Sequence, residues 1–107
     1  MNRLILIALA AAFAIPAWAA GNVASGQEKS KACAACHGPD GNAPVGPDFP
    51  RLAGQHYDYL LKTLRDYKSG ARKNPIMAGQ VANLRPQDLA DLAAFYASQK
   101  GALHVVR

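Results

Sequence analysis

The chain has 107 residues, a net charge of +5 and hydrophobic residues at half of its positions, enough for one domain and too little for several. The basic excess is mild and holds no Lys/Arg run or aromatic-interleaved basic stripe, so nucleic acid is not an expected partner.

The N-terminus opens with a short positive start at Asn2-Arg3, followed by an unbroken apolar run from Leu4 to Ile15. Pro16 breaks the run, and Ala17-Trp18-Ala19 supplies the small-x-small pattern that a signal peptidase reads. A spanning helix needs about 20 apolar residues, and this run is shorter. Residues 1–19 are therefore expected to be a cleaved signal peptide, with a cut after Ala20 the nearest alternative. Residues 20–107 form the mature domain, which keeps no stable membrane span and is expected in the periplasm. Export takes both cysteines into an oxidising compartment, where a bare pair tends to close into a disulfide. A domain this small has a thin core and leans on a staple or a cofactor.

Ala24 to Cys36 reads as a first helix, ended by Gly38-Pro39. Gly38 to Pro50 is too dense in glycine and proline for a regular element and reads as a loop. Gln55 to Ser69 is the next helix, with Tyr57, Leu60, Leu61, Leu64 and Lys68 on one face and Gly70 as its stop. Ala71 to Asn83, broken by Pro75 and Gly79, reads as irregular with at most a short helical turn. The last helix starts at Pro86, carries Asp88 near its positive end and closes at Gly101. Its inner stripe is Leu89, Leu92, Ala93 and Tyr96. No alternating strand pattern or internal repeat is present, so the domain is expected to be all-α.

Cys33-Ala34-Ala35-Cys36-His37 is the spacing of covalent c-type haem attachment. On one helical turn the two thiols sit where thioether bonds reach two carbons of one porphyrin, and the histidine that follows aims its imidazole at the iron. Two other chemistries use paired cysteines. A thioredoxin-like thiol pair normally opens a helix after a strand in a βαβ pattern, which this chain lacks. A zinc site needs four ligands, and beyond the motif only His56 and His104 remain to help.

A haem held by His37 needs a sixth ligand or an open position, and the choice sets function. A thioether sulfur opposite histidine stabilises ferrous iron and blocks small molecules. Once Met1 has left with the signal, Met77 is the remaining methionine, placed in Lys73-Asn74-Pro75-Ile76-Met77-Ala78-Gly79, a loop between two helices. His56 and His104 are the rival donors; both read as solvated. Cys33, Cys36, His37 and Met77 are thus the expected haem-binding residues, with one haem c per chain and with His37 and Met77 on the metal.

With these residues quoted, the chain resembles the class I cytochromes c, and among them the small soluble bacterial cytochrome c553 group or one half of the dihaem cytochrome c4 family. Three segments carry the resemblance: Cys33 to Asn42, Phe49 to Gln55 (Phe-Pro-Arg-Leu-Ala-Gly-Gln), and Met77 with Leu89 to Tyr96. It covers Asn22 to Gly101. The resemblance implies a cytochrome c fold, three main helices with long irregular loops wrapped around one haem. It implies that the Pro50 carbonyl accepts the Nδ1 proton of His37 and that Leu52 packs on the haem face. It also implies a near-perpendicular crossing of the first and last helices, for which Gly26 against Phe95-Tyr96 is the candidate contact. Mitochondrial-type relatives carry an aromatic on the first helix, and this helix has none. The function so implied is that of a periplasmic single-electron carrier rather than an enzyme. Its partners would be redox proteins such as a respiratory complex, a terminal oxidase or a periplasmic dehydrogenase. The alternatives are the electron-relay subunit of a periplasmic dehydrogenase, for example a flavocytochrome c sulfide dehydrogenase, and a haem sensor with a displaceable sixth ligand. Lys29, Lys31, Lys62, Lys68, Arg72 and Lys73 are candidates for a basic docking rim.

Overall fold

The computed structural model describes residues 20–101; the expected signal peptide and His104 lie outside them. The side chain of Asn22 accepts the Ser25 N–H at 2.9 Å and starts α1 (Val23–Lys29), satisfying a donor that the first helical turn leaves unpaired. The expected single helix over Ala24–Cys36 is two short ones. Ser30 interrupts it, donating its hydroxyl to the Gln27 carbonyl at 2.7 Å, and α2 (Lys31–His37) follows. A serine bonded locally to backbone competes with the helical ladder.

The connection from Gly38 to His56 has no helix or strand and is nonetheless tied down. Val45 donates its N–H to the Cys36 carbonyl at 3.0 Å, Leu52 to Gly41 at 2.9 Å, and Gly54 to Tyr96 at 3.0 Å. Asn42 reaches the Lys100 carbonyl at 2.7 Å. The long loop is therefore sewn to α2 at one end and to the last helix at the other.

Helix α3 (Tyr57–Ser69) begins two residues later than the sequence suggests and stops at Gly70, whose φ is 84°. Leu60 and Leu61 are buried and Leu64 is half-buried against the core. Lys68, at the end of the expected apolar stripe, is exposed and donates to the Leu84 carbonyl. Ala71 to Asn83 departs most from expectation, since it contains a true helix, α4 (Pro75–Val81). The Asn74 side chain accepts the N–H groups of Ile76 and Met77 at 3.0 and 3.1 Å, and Pro75 fills the first helical position with φ already set. Helix α5 (Pro86–Ser98) starts the same way, with Pro86 first and Asp88 accepting the Arg85 N–H at 2.8 Å.

Helix α5 is the spine. Leu89, Ala90, Leu92, Ala93, Phe95 and Tyr96 are all buried. Helix α1 crosses it on one side and α3 packs on another, with α4 lying against α3. The crossing is close because Gly26 has no side chain: a Cβ there would stand 2.0 Å from the Asp91 carbonyl oxygen and 2.7 Å from the Phe95 Cβ. The contact includes Phe95, as expected, and also reaches back one turn on α5 to Asp91.

A polar clamp locks the same crossing. Lys29 lies 2.8 Å from Asp88 and 2.5 Å from Asp91, and Asp91 also accepts the Asn22 N–H at 2.8 Å and the Gln87 amide at 2.7 Å. Hydrogen bonds from Lys29 and then Arg85 hold the Asp88 carboxyl far below the usual carboxylate range. Burial opposes the same shift in Asp91, but Lys29, Asn22 and Gln87 together keep it lowered. Among the described residues there is no strand, and no helix is long and apolar enough to cross a membrane.

Candidate functional site

Helices α2 to α5 and the long loop enclose a cavity of about 800 Å³. It is in the upper range of small-molecule and cofactor pockets, roughly 300–1,000 Å³. Its walls are mainly apolar: Leu52, Leu60, Leu64, Val81, Leu84 and Leu92 all contribute.

Cys33, Cys36 and His37 from α2 and Met77 from α4 all line this cavity. Both cysteines are free thiols rather than a disulfide and are half-buried. Burial pushes the Cys33 thiol up. His37 is buried at the end of α2, its ring edge-on to Phe49 with centroids 6.2 Å apart. Its Nδ1 stands 2.8 Å from the Pro50 carbonyl oxygen. A carbonyl only accepts, so Nδ1 carries the hydrogen and Nε2 keeps its lone pair free for a metal. The turn that frees His37 from the helix is made by Gly38, with φ of 87° and with Ala43 backbone atoms 2.9 Å from where a Cβ would sit.

Met77 is in the first turn of α4 rather than in a loop, half-buried against the core. The Asn74 cap fixes its backbone. The signal for this helix was Asn74-Pro75, an N-cap residue followed by a first-position proline. Leu52 is half-buried, on the cavity wall and against the core. His56 is exposed and is not on the wall.

Tyr96, which the helical pattern marks only as a core residue, also lines the cavity. Its hydroxyl is buried without a hydrogen-bond partner and faces Cys33, with burial first and then Cys33 raising the phenol above its ordinary range. The basic rim does not assemble as a set. Lys29 belongs to the α1–α5 clamp, Lys31 pairs with Glu28, Lys62 pairs with Asp66, and of the six only Arg72 lines the cavity.

Two thiols one helical turn apart, an imidazole with a free Nε2 and a thioether, all lining one apolar cavity, form a donor set that fits a haem c. The site and fold thus define a small all-helical haem-binding domain of the c type. The family model for cytochrome c matches residues 23–100, and the chain belongs to the cytochrome c family, whose members carry covalently bound haem. It is 56% identical over 84 residues to the cytochrome c4 of Pseudomonas aeruginosa, an alignment spanning 78% of this chain and 41% of that protein. It is 39% identical over 84 residues to cytochrome c-554(548) of Halomonas halodenitrificans, across 76% of this chain and all of that one. The crystal structure of reduced recombinant cytochrome c4 from Pseudomonas stutzeri superimposes with a TM-score of 0.73 at 46% identity, covering 78% of this chain and 48% of that one. The chain spans less than half the length of the cytochrome c4 relatives it matches.

Proposed function

We propose that this chain is an exported single-electron carrier, with one haem c attached through Cys33 and Cys36 and with His37 and Met77 as its axial ligands. The observation that carries this reading is the convergence of those four side chains on one apolar cavity. When bound, the haem supplies the Fe(III)/Fe(II) couple.

The chain's own residues do the rest. Pro50 accepts the His37 Nδ1 proton, which fixes the ring's tautomer and orientation and makes Nε2 the stronger donor. Met77 would hold the haem iron through its thioether sulfur, a donor that would favour the reduced state and leave small molecules no ready position. Leu52, Leu60, Leu64 and Leu92 keep water off the wall, and the low local dielectric limits solvent rearrangement when charge changes. With His37 and Met77 both engaged, transfer of an electron to a docked partner would be the chemistry left open. The partners are redox proteins, donors on one side and acceptors on the other. The apolar N-terminal run with Ala17-Trp18-Ala19 supports export, and the family's covalent attachment chemistry is compatible with the periplasm.

The test is the visible spectrum of the purified protein in both oxidation states. Oxidised protein should show a sulfur-to-iron charge-transfer band, and Met77→Ala should abolish it while leaving the haem attached. A colourless product with free or bridged thiols would refute the haem reading. Rapid carbon monoxide binding by the ferrous wild type would refute Met77 as a tight ligand.

A further inference from the structure

One polar group in the cavity has no part in the chemistry described so far. The Tyr96 hydroxyl lies at the cavity wall, on a residue only 3% exposed, and among the described residues it has no hydrogen-bond partner. A buried donor left unmade carries the full desolvation cost of the group. The residue is also held in place. Its carbonyl accepts the N–H groups of Gly54 at 3.0 Å and Gln99 at 3.2 Å. Gly41 closes on the ring edge, where a Cβ would stand 2.9 Å from Cδ1, and the Phe95 ring lies beside it with centroids 5.0 Å apart.

Two groups face the hydroxyl. Ser30, on the turn between α1 and α2, is buried and commits its own hydrogen to the Gln27 carbonyl at 2.7 Å. Cys33 packs against the core and lines the same cavity. Burial pushes the Cys33 thiol up and the Tyr96 hydroxyl draws it partly back, as a donor to sulfur does. Covalent attachment changes what Cys33 offers. As the S–H adds across a vinyl group, sulfur bonds to the inner carbon and the hydrogen goes to the terminal one, with no electron gained or lost. The resulting thioether has lone pairs and no hydrogen, so it accepts and cannot donate. Burial holds the Tyr96 phenol above its ordinary range, so it keeps its hydrogen to give.

Resting on the haem reading above, we infer that the Tyr96 hydroxyl donates a hydrogen bond to the thioether sulfur of Cys33 in the holoprotein. Tyr96 is thus a positioning residue for the tether. It fixes the side-chain torsion of Cys33 and makes the two thioethers inequivalent. It also ties α5, the spine of the fold, to the point on α2 where the cofactor is attached.

The experiment is resonance Raman spectroscopy of the reduced holoprotein, wild type and Tyr96→Phe, each fully exchanged in light and in heavy water. Wild type should show one of its two carbon–sulfur stretching bands shifted by deuterium, and Tyr96→Phe should show neither shifted. A tyrosine that merely fills space would give no isotope shift in either protein. Guanidinium unfolding of the same two holoproteins supplies a second reading. Tyr96→Phe should raise the unfolding equilibrium constant by about threefold, near the low end for a hydrogen bond because sulfur is a weak acceptor. Removing a hydroxyl that had stayed unpartnered would instead leave that constant level or lower it. Carbon–sulfur bands blind to deuterium in wild type, a shift that survives Tyr96→Phe, or an unfolding constant that does not rise would each overturn the assignment while leaving the haem reading intact. Protein without a haem spectrum would overturn both.

Discussion

Gly26→Ala is the smallest change that attacks the crossing on which the fold depends. The added Cβ would lie 2.0 Å from the Asp91 carbonyl oxygen, 2.6 Å from its carbon and 2.7 Å from the Phe95 Cβ. Two of these three neighbours are backbone atoms in the middle of α5, so no side-chain rotation relieves the clash. Bringing the closest pair to ordinary contact near 3.4 Å requires α1 and α5 to separate by about 1.4 Å, and a gap of even 0.5–1 Å forfeits a quarter to a half of a dispersion contact. The same displacement stretches the 2.8 Å bond from Asn22 to Asp91 and the 2.5 Å contact from Lys29 to Asp91. Overpacking a well-ordered contact costs about 1–3 kcal/mol, and loosening the buried charge cluster adds to it, so a loss of about 3 kcal/mol or more is expected. Guanidinium unfolding of the holoprotein followed by far-ultraviolet circular dichroism measures this as a lowered midpoint at unchanged m-value. A loss below about 1 kcal/mol would show that the crossing is plastic and that the close approach is not what selects glycine.

Lys29→Met should destabilise the holoprotein by about 2–4 kcal/mol, because Asp91 is left buried with its countercharge gone and Lys29 itself is only partly exposed. Chemical denaturation of the two proteins at neutral pH checks it, and equal midpoints would dismiss the clamp. The Asp88 and Asp91 carboxyls are both lowered in the folded state. Their contribution is therefore complete above the unfolded value near 4 and drains away as pH falls below about 4. Wild type should accordingly lose stability between about pH 4 and about pH 2 more steeply than Lys29→Met, and parallel pH curves would contradict that sign. Cys33→Ala/Cys36→Ala protein, made without covalent haem, should lack a cooperative thermal transition, since the apolar cavity wall would then face water; a sharp calorimetric peak would refute this.

Much of this molecule is legible in its sequence, and the failures are local. The five-residue motif from Cys33 to His37 and the inner stripe of α5 identify themselves by spacing, because a haem tether and a buried helical face each impose a period. Ser30 is where pattern reading fails: alanine-rich, small-residue sequence around it reads as one helix, while a hydroxyl-to-carbonyl bond two turns in breaks the run. Helix α4 escapes notice because proline and glycine inside Asn74 to Gly79 suggest irregular chain. The proline in fact stands at the one helical position that has no use for its N–H. Along the sequence Lys29 is one of several lysines, and nothing in its neighbours points to aspartates 59 and 62 residues away. Arg72 has no distinguishing neighbour along the sequence, since Tyr59 and Tyr67 come beside it only when the chain turns back after Gly70.

The two proposed axial ligands are not supported equally, and the asymmetry follows from their elements. His37 is buried, bonded to Pro50 and edge-on to Phe49, on a helix that directly follows the one α5 clamps. Met77 sits on a seven-residue helix whose one buried residue is Val81, with Ile76, Gly79 and Gln80 exposed and with the Asn74 cap as its main local bond. Regions with few buried apolar contacts and exposed backbone bonds open first, at free energies well below that of global unfolding. Helix α4 therefore belongs to the least stable part of the domain and the α1–α5 crossing to the most stable. By linkage, a bond between Met77 and iron would stabilise α4 by as much as an ordered α4 stabilises the bond, and that gain would fall on the part of the domain that opens first.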